Sequence, residues 1–353
     1  MSSVCELAFP CTNLNDNLEF FTSKLGFRVA QISPADDPTM AVVQRSGCAI
    51  RLEQGKFNLE SATAVTLRIR CEDEELALGV EEVAPNGLRV LRVPVNPPMV
   101  LPKPIQSLIV TRAAPVDDAV AGRAGMMYTD LIPGRMGGAF IASHIAIPDG
   151  GPVNDYVHFH KIRFQLIYVK AGWVKVVYED QGNPFIMYPG DCVMQPPQIR
   201  HRVLESSPGL EVIEIGAPAV HDTFGALEME LPNGVGKEGR LWEQQKFHFH
   251  SKSKAVVGED GVRDLGMKAA SNGVFSLKVH TFQKKHEWTV SHSEELMFFY
   301  ILEGSLSFAE RDEGTWTNLK AGDSCVLPAT DSFQIVAETG TEVLECQVFG
   351  HRE

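Results

Sequence analysis

The chain has 353 residues, room for two or three domains, and its 44% hydrophobic content is that of an ordinary globular protein. A formal charge of −13, from 32 basic and 45 acidic residues, argues against a nucleic-acid partner, which needs a basic surface. No apolar run reaches membrane-spanning length, and no basic stretch leads into an apolar one at the N-terminus. The chain therefore reads as soluble and cytoplasmic, without a membrane partner. Its seven cysteines are widely spaced and include no Cys-x-x-Cys pair, which fits buried thiols in a reducing compartment.

Residues 4–11 alternate loosely as a strand. Asn13-Leu-Asn-Asp supplies capping residues for a helix that stops at Gly26. Residues 27–32, 39–44 and 49–53 then read as strands. The run from Asn13 to Phe27 resembles the first βαβββ module of the glyoxalase, or vicinal-oxygen-chelate, superfamily. That family normally takes one metal ligand from the first strand and one from the last. The corresponding positions here are Glu6 and Glu53, with no histidine near either. Residues 62–112 can form a degenerate second module, with strands at 64–70, 88–93 and 107–110 and a short helix at 72–82. The resemblance thus implies a glyoxalase-like domain over residues 1–115 that is structural or forms a homodimer, rather than a second active site. The proline-rich run 93–104 reads as extended crossing chain, because proline lacks a backbone donor and fixes its φ. Residues 113–125 read as a linker.

The next segment carries the chemistry. Val-His-Phe-His places His158 and His160 two residues apart. In a strand such residues share a face, so both imidazoles can enter one interior. With a third imidazole from another strand they make a site for Zn, Fe, Cu, Ni or Mn. The segment fits Gly-x6-His-x-His-x4-Gln-x6-Gly and then Gly-x5-Pro-x4-His, ending at His201. This resembles the two motifs of the cupin superfamily. The resemblance implies a small antiparallel β-barrel over 116–232 that holds one divalent ion on His158, His160, Gln165 and His201. The usual glutamate is replaced by Gln165, whose amide brings no charge. An ion there keeps its full positive charge and favours a small anionic chelating substrate such as an enolate or phenolate.

The rest of the chain repeats this segment. Residues 130–140 resemble 264–275, 165–172 resemble 297–304, and 189–196 resemble 321–328. The fold class expected is therefore mainly β with a minor α+β part: two tandem cupin barrels after a βαβββ domain. In the second barrel, 233–353, the ligand positions are occupied by Val290, His292, Met297 and Phe333, which cannot hold a first-row metal well. That barrel is expected to be metal-free and to serve packing or bind an apolar ligand. His248 and His250 lack the partner motif and read as structural, as does His144. His280, His286 and His292 could at most form a weak accidental site.

Arg163, Arg200 and Tyr156 are the best sequence candidates for contacting substrate, since an arginine at a barrel mouth can pair a carboxylate in two-point fashion. Tyr168 should point away from the cavity if Gln165 points in. Ring-cleaving bicupins of the gentisate type are similar in having one competent barrel and a histidine triad without the glutamate. The leading expectation is accordingly an Fe(II) dioxygenase using O2 on a phenolic acid, enol or diketone. The alternatives are a Zn- or Mn-dependent isomerase or lyase, for which no convincing base stands out, and a non-catalytic small-molecule binding protein.

Overall fold

The computed structural model describes residues 6–33, 39–55, 66–71, 81–94, 98–115, 119–121, 126–226, 229–311, 314–329 and 331–350. The chain divides into two compact units, Met1–Pro98 and Met99–Glu353. Among the described residues no helix is long and apolar enough to cross a membrane.

In the first unit the strand Glu6–Cys11 leads into the helix Leu14–Glu19, whose N-cap Asn13 accepts the Asp16 amide at 3.2 Å. A π-helical turn, Phe20–Lys24, closes it, and Gly26 turns the chain out at φ +66. Strands Arg28–Ser33, Met40–Arg45 and Cys48–Gln54 follow, and Glu6–Cys11 pairs with Cys48–Gln54 in parallel, which a helical crossover permits. Leu14, Phe20 and Phe21 bury against Val43, Ile50 and Leu52. Glu53 pairs with Arg51 at 2.6 Å, and both are exposed to solvent in part.

Two expectations for residues 62–112 change. The helix expected over 72–82 lies mostly outside the described residues, and its last two positions belong to the strand Glu81–Val83. That strand pairs with Arg89–Pro94, where Glu81 and Glu82 meet Arg89 and Arg92 at 2.5 and 2.7 Å. The strand expected at 107–110 exists as Ile109–Thr111, but it pairs with Ser324–Val326 in the second unit.

The second unit is a pair of β-barrels. Barrel one is built from a sheet containing Ile141–Ile147, Phe164–Ala171, Cys192–Gln195 and Leu210–Ala217, facing a sheet containing His158–His160, Val174–Tyr178 and His201–Ser206. Barrel two repeats the plan with Phe275–Phe282, Leu296–Glu303, Ser324–Val326 and Thr341–Val348 facing His286–Val290, Ser305–Glu310 and Phe333–Ala337. Strand alternation divides each inner sheet into two faces. Leu166, Tyr168, Ile213 and Ile215 pack with Leu277, Phe298, Tyr300 and Leu344 in a core between the barrels, where Phe164 stacks on Phe275 at 4.4 Å. Val169, Val176 and Val212 face the interior of barrel one instead.

Each barrel borrows a strand. Ile109–Thr111, which precedes barrel one, extends the sheet of barrel two; His248–His250, which precedes barrel two, extends that of barrel one. The repeated Gly-Asp turn explains how the borrowed strands are held. Asp191 accepts Lys252 N at 2.8 Å, and Asp323 accepts Ala113 N at 2.8 Å together with the Arg112 guanidinium at 2.8 Å. Gly190 and Gly322 stand at φ +89 and +90, a left-handed conformation that side chains resist.

The interior of barrel two is filled by Met297, Phe299, Phe308 and Phe333. His292 donates to Leu327 O and accepts Glu294 N, so its ring is a structural tie. His248 donates to Leu265 O, and burial lowers its pKa.

His144 faces the barrel–barrel side rather than the cavity. It meets Glu211 at 2.7 Å, and Lys170 meets the same carboxylate at 2.5 Å. The His144 hydrogen bond, aided by Lys170 and opposed by burial, holds the Glu211 carboxyl at about 2. Because the folded pKa is depressed, this clasp stabilises the fold above the ordinary carboxyl range and is lost as pH falls towards 2. Glu211→Gln is expected to flatten the fall in unfolding temperature between pH 5 and 2, read by circular dichroism; an unchanged slope would show that the clasp contributes nothing.

Candidate metal centre

His158 and His160 sit on one three-residue strand, His158–His160, and His201 opens the antiparallel strand His201–Ser206 directly opposite His158. The short strand keeps the period-two spacing, so the first two rings share a face, and the cross-strand register delivers the third. A ligand nitrogen from each of the three rings lies within 4.8 Å of the others. The ring centroids of His158 and His201 are 4.2 Å apart.

Backbone carbonyls orient the rings. His158 Nδ1 donates to Tyr156 O at 2.8 Å and His201 Nδ1 to Ile199 O at 3.0 Å, while His160 Nδ1 meets Thr223 Oγ1 at 2.8 Å. A donating Nδ1 fixes the tautomer in which Nε2 presents its lone pair, the arrangement found behind metal-bound histidines. His158 is fully buried and His201 is 6% exposed. A buried imidazole set of this kind is costly unless its lone pairs are met.

Gln165 lines the same cavity, and its Oε1 is buried without a hydrogen-bond partner. Tyr168 points to the opposite face, into the inter-barrel core, as strand alternation requires. The donor set therefore fits a divalent ion: three imidazoles, two of them with tautomers set by backbone carbonyls, and a buried amide oxygen.

The cavity around the triad measures about 250 Å3. Its lining combines the triad, Gln165, His221 and Thr223 with aliphatic side chains, Ile145, Ile147, Val174 and Val212 among them. Tyr178 stacks on His201 and accepts a hydrogen bond from Gln195 Nε2 at 2.8 Å. Burial raises its pKa, so the phenol stays protonated.

Among solved structures, the E. coli protein Ylba superposes with a TM-score of 0.52 at 14% identity, covering 72% of this chain and 95% of its own. Salicylate 1,2-dioxygenase from Pseudaminobacter salicylatoxidans gives 0.52 at 15% identity, covering 71% and 86%. The second unit has a cupin fold. At such identities the likeness is one of fold alone. No protein-family model matches the chain, and no curated protein does.

The cupin barrel leaves three sequence candidates outside the cavity. Arg163 is 8% exposed and pairs with Glu295 of barrel two at 2.6 Å, also donating to Phe349 O. Arg200 lies over the Phe159 ring at 4.4 Å and near Glu179. Tyr156 is 46% exposed and contributes its carbonyl to His158. None of the three lines the cavity.

Two residues that do line it escaped the sequence reading. His221, in the loop after Leu210–Ala217, places its ring 5.4 Å from that of His160 and meets Pro218 O at 3.0 Å through Nδ1; burial lowers its pKa. Glu214 lies on the strand itself. Neither stands in a motif; only the alternation of Leu210–Ala217 would have marked Glu214.

Proposed function

We propose that the second unit is a metal-dependent cupin enzyme whose single active barrel is the first, and that it acts as an Fe(II) dioxygenase on a small anionic chelating substrate. The observation that carries this reading is the triad of His158, His160 and His201, the first and last with tautomers set by carbonyls, beside an amide, Gln165, in place of a carboxylate. An ion held there supplies undiminished positive charge for a chelating anion and open positions for O2. The chain does the rest. Carbonyl contacts hold the imidazoles of His158 and His201 and the Thr223 hydroxyl that of His160, neutral Tyr178 supports His201, and the aliphatic walls exclude water. Salicylate 1,2-dioxygenase, which shares the fold, has been crystallised as adducts with gentisate. That likeness supports a small organic acid, enol or diketone as the substrate class.

Oxygen uptake by anaerobically purified, iron-loaded protein tests the reading. Uptake on adding a phenolic acid or diketone is the expected result; turnover without oxygen would favour the isomerase or lyase reading with Zn or Mn, for which Glu214 and His221 supply cavity-facing candidate bases. In the same preparations Gln165→Glu is expected to retain metal but bind an anionic substrate about tenfold more weakly, because the added carboxylate offsets one positive charge. Equal affinities would remove the charge argument. In this reading the first unit, with its parallel pairing of first and last strands, is a glyoxalase-like module serving structure or a homodimer.

A further inference from the structure

We infer that Gln195 is a specificity-determining residue of the cavity, and that the substrate carries a hydrogen-bond donor, a hydroxyl or N–H group, beside its chelating oxygens for the Gln195 side-chain oxygen to receive. The inference rests on the proposed metal-dependent reading of the triad and narrows its substrate class.

Strand parity sends the Gln195 side chain inward. Along Cys192–Gln195, Cys192 and Met194 enter the inter-barrel core and Val193 the interior of barrel one, so Gln195 follows Val193 and lines the cavity. On the neighbouring strand Leu166 and Tyr168 enter the core, and Gln165 lines the cavity in turn. The two glutamines are register partners in the antiparallel pairing of Phe164–Ala171 with Cys192–Gln195. Two amides therefore stand side by side on the inner wall.

Both are buried, Gln165 at 3% and Gln195 at 5% exposure, and the Oε1 of each has no hydrogen-bond partner among the described residues. An acceptor left unpaired in such a place is costly. The orientation of the Gln195 amide is set by its other end. Its Nε2 donates to the Tyr178 hydroxyl at 2.8 Å, and the Tyr178 ring is itself held between those of His201 and Phe247. Several donors of the lining are committed elsewhere: Nδ1 of His158, His201 and His221 to backbone carbonyls, and the Thr223 hydroxyl to His160. An ion on the triad takes up the Gln165 oxygen, and the Gln195 oxygen is left for the ligand.

The second barrel supplies the control. Laying 189–196 on 321–328 places Leu327 at the position of Gln195, and Met297 stands at that of Gln165. Leu327 and Met297 are buried in the filled interior of that barrel, where Leu327 N donates to Met297 O at 3.1 Å. The barrel is thus built equally well with apolar side chains at both positions. The amide pair occurs in the copy that has the triad and the cavity, which assigns it to a ligand rather than to the packing of the barrel.

The chemistry of the ligand follows from the acceptor. A carboxylate or carbonyl oxygen set against Gln195 Oε1 places acceptor against acceptor, and a methyl group leaves it unpaired; a hydroxyl or N–H group meets it. A site built on a buried acceptor discriminates a ligand with the donor from an isostere without it.

Oxamate and pyruvate test this, since both are monoanions that chelate through a carboxylate and a carbonyl and differ by an amide NH2 against a methyl. The full-length, iron-loaded protein is titrated anaerobically with each by calorimetry, and the ratio of the two affinities is compared between variants, which cancels the ligands' own difference towards the ion. The preference for oxamate is expected to fall about tenfold in Gln195→Leu and in Gln195→Met. Gln195→Glu, which keeps an acceptor oxygen, should retain the wild-type ratio. A glutamine needed only to hold Tyr178 would weaken both ligands alike and leave the ratio unchanged. An unchanged ratio in the leucine and methionine variants would overturn the inference, as would its loss in Gln195→Glu or failure of the iron-loaded wild type to bind oxamate. Iron content of the same preparations reports separately on the triad, and oxygen uptake on the dioxygenase reading.

Discussion

His201→Ala is expected to empty the metal site. Elemental analysis of anaerobically purified protein should fall from about one ion per chain to a small fraction of that, since two imidazoles and an amide make an incomplete first-row donor set. The physical reason lies in the register. His201 is the only one of the three imidazoles contributed by the opposite strand, and the other two reach it across centroid distances of 4.2 and 5.2 Å. Changing groups that merely orient a ligand costs about 10–100-fold in metal affinity, and loss of the ligand itself should cost more. The fold should persist, because His201 packs at a cavity wall and its strand keeps its pairing with Val174–Tyr178. Full occupancy in both His201→Ala and His158→Ala would place the metal elsewhere.

Arg163→Met is expected to destabilise the protein by about 2–4 kcal/mol while leaving metal content unchanged. Removing one member of a buried ion pair costs about 3–5 kcal/mol, and the partial exposure of Glu295 reduces that figure. The methionine keeps the apolar stem but abandons Glu295 and the Phe349 carbonyl, both in barrel two. Urea unfolding followed by circular dichroism reads the effect. Unchanged stability with weakened substrate binding would instead return Arg163 to the substrate role suggested by its place in the sequence.

The grouping of His158, His160 and His201 was legible because much of its information is local. His158 and His160 need only the strand period, and the Gly-Asp turns at 190–191 and 322–323 announce themselves by glycine and a side-chain acceptor. The helix at Leu14–Glu19 was equally plain from Asn13 and Gly26. The pairing of Arg163 was not legible because nothing near it in the sequence mentions Glu295, 132 residues away. Ile109–Thr111 reads as a strand from its β-branched residues, yet its partner, Ser324–Val326, lies in the far barrel.

By itself the sequence determined the two repeated halves, the three imidazoles and the amide among them, and the different residues at the same positions of the second copy, where Met297 and Phe333 fill the interior. Tertiary structure alone decided which strands each barrel borrows, that Arg163 joins the barrels, and that Glu214 enters the cavity. The reason is register: a shift of one residue between paired strands sends every side chain to the opposite face, and that choice is made by partners distant in the chain.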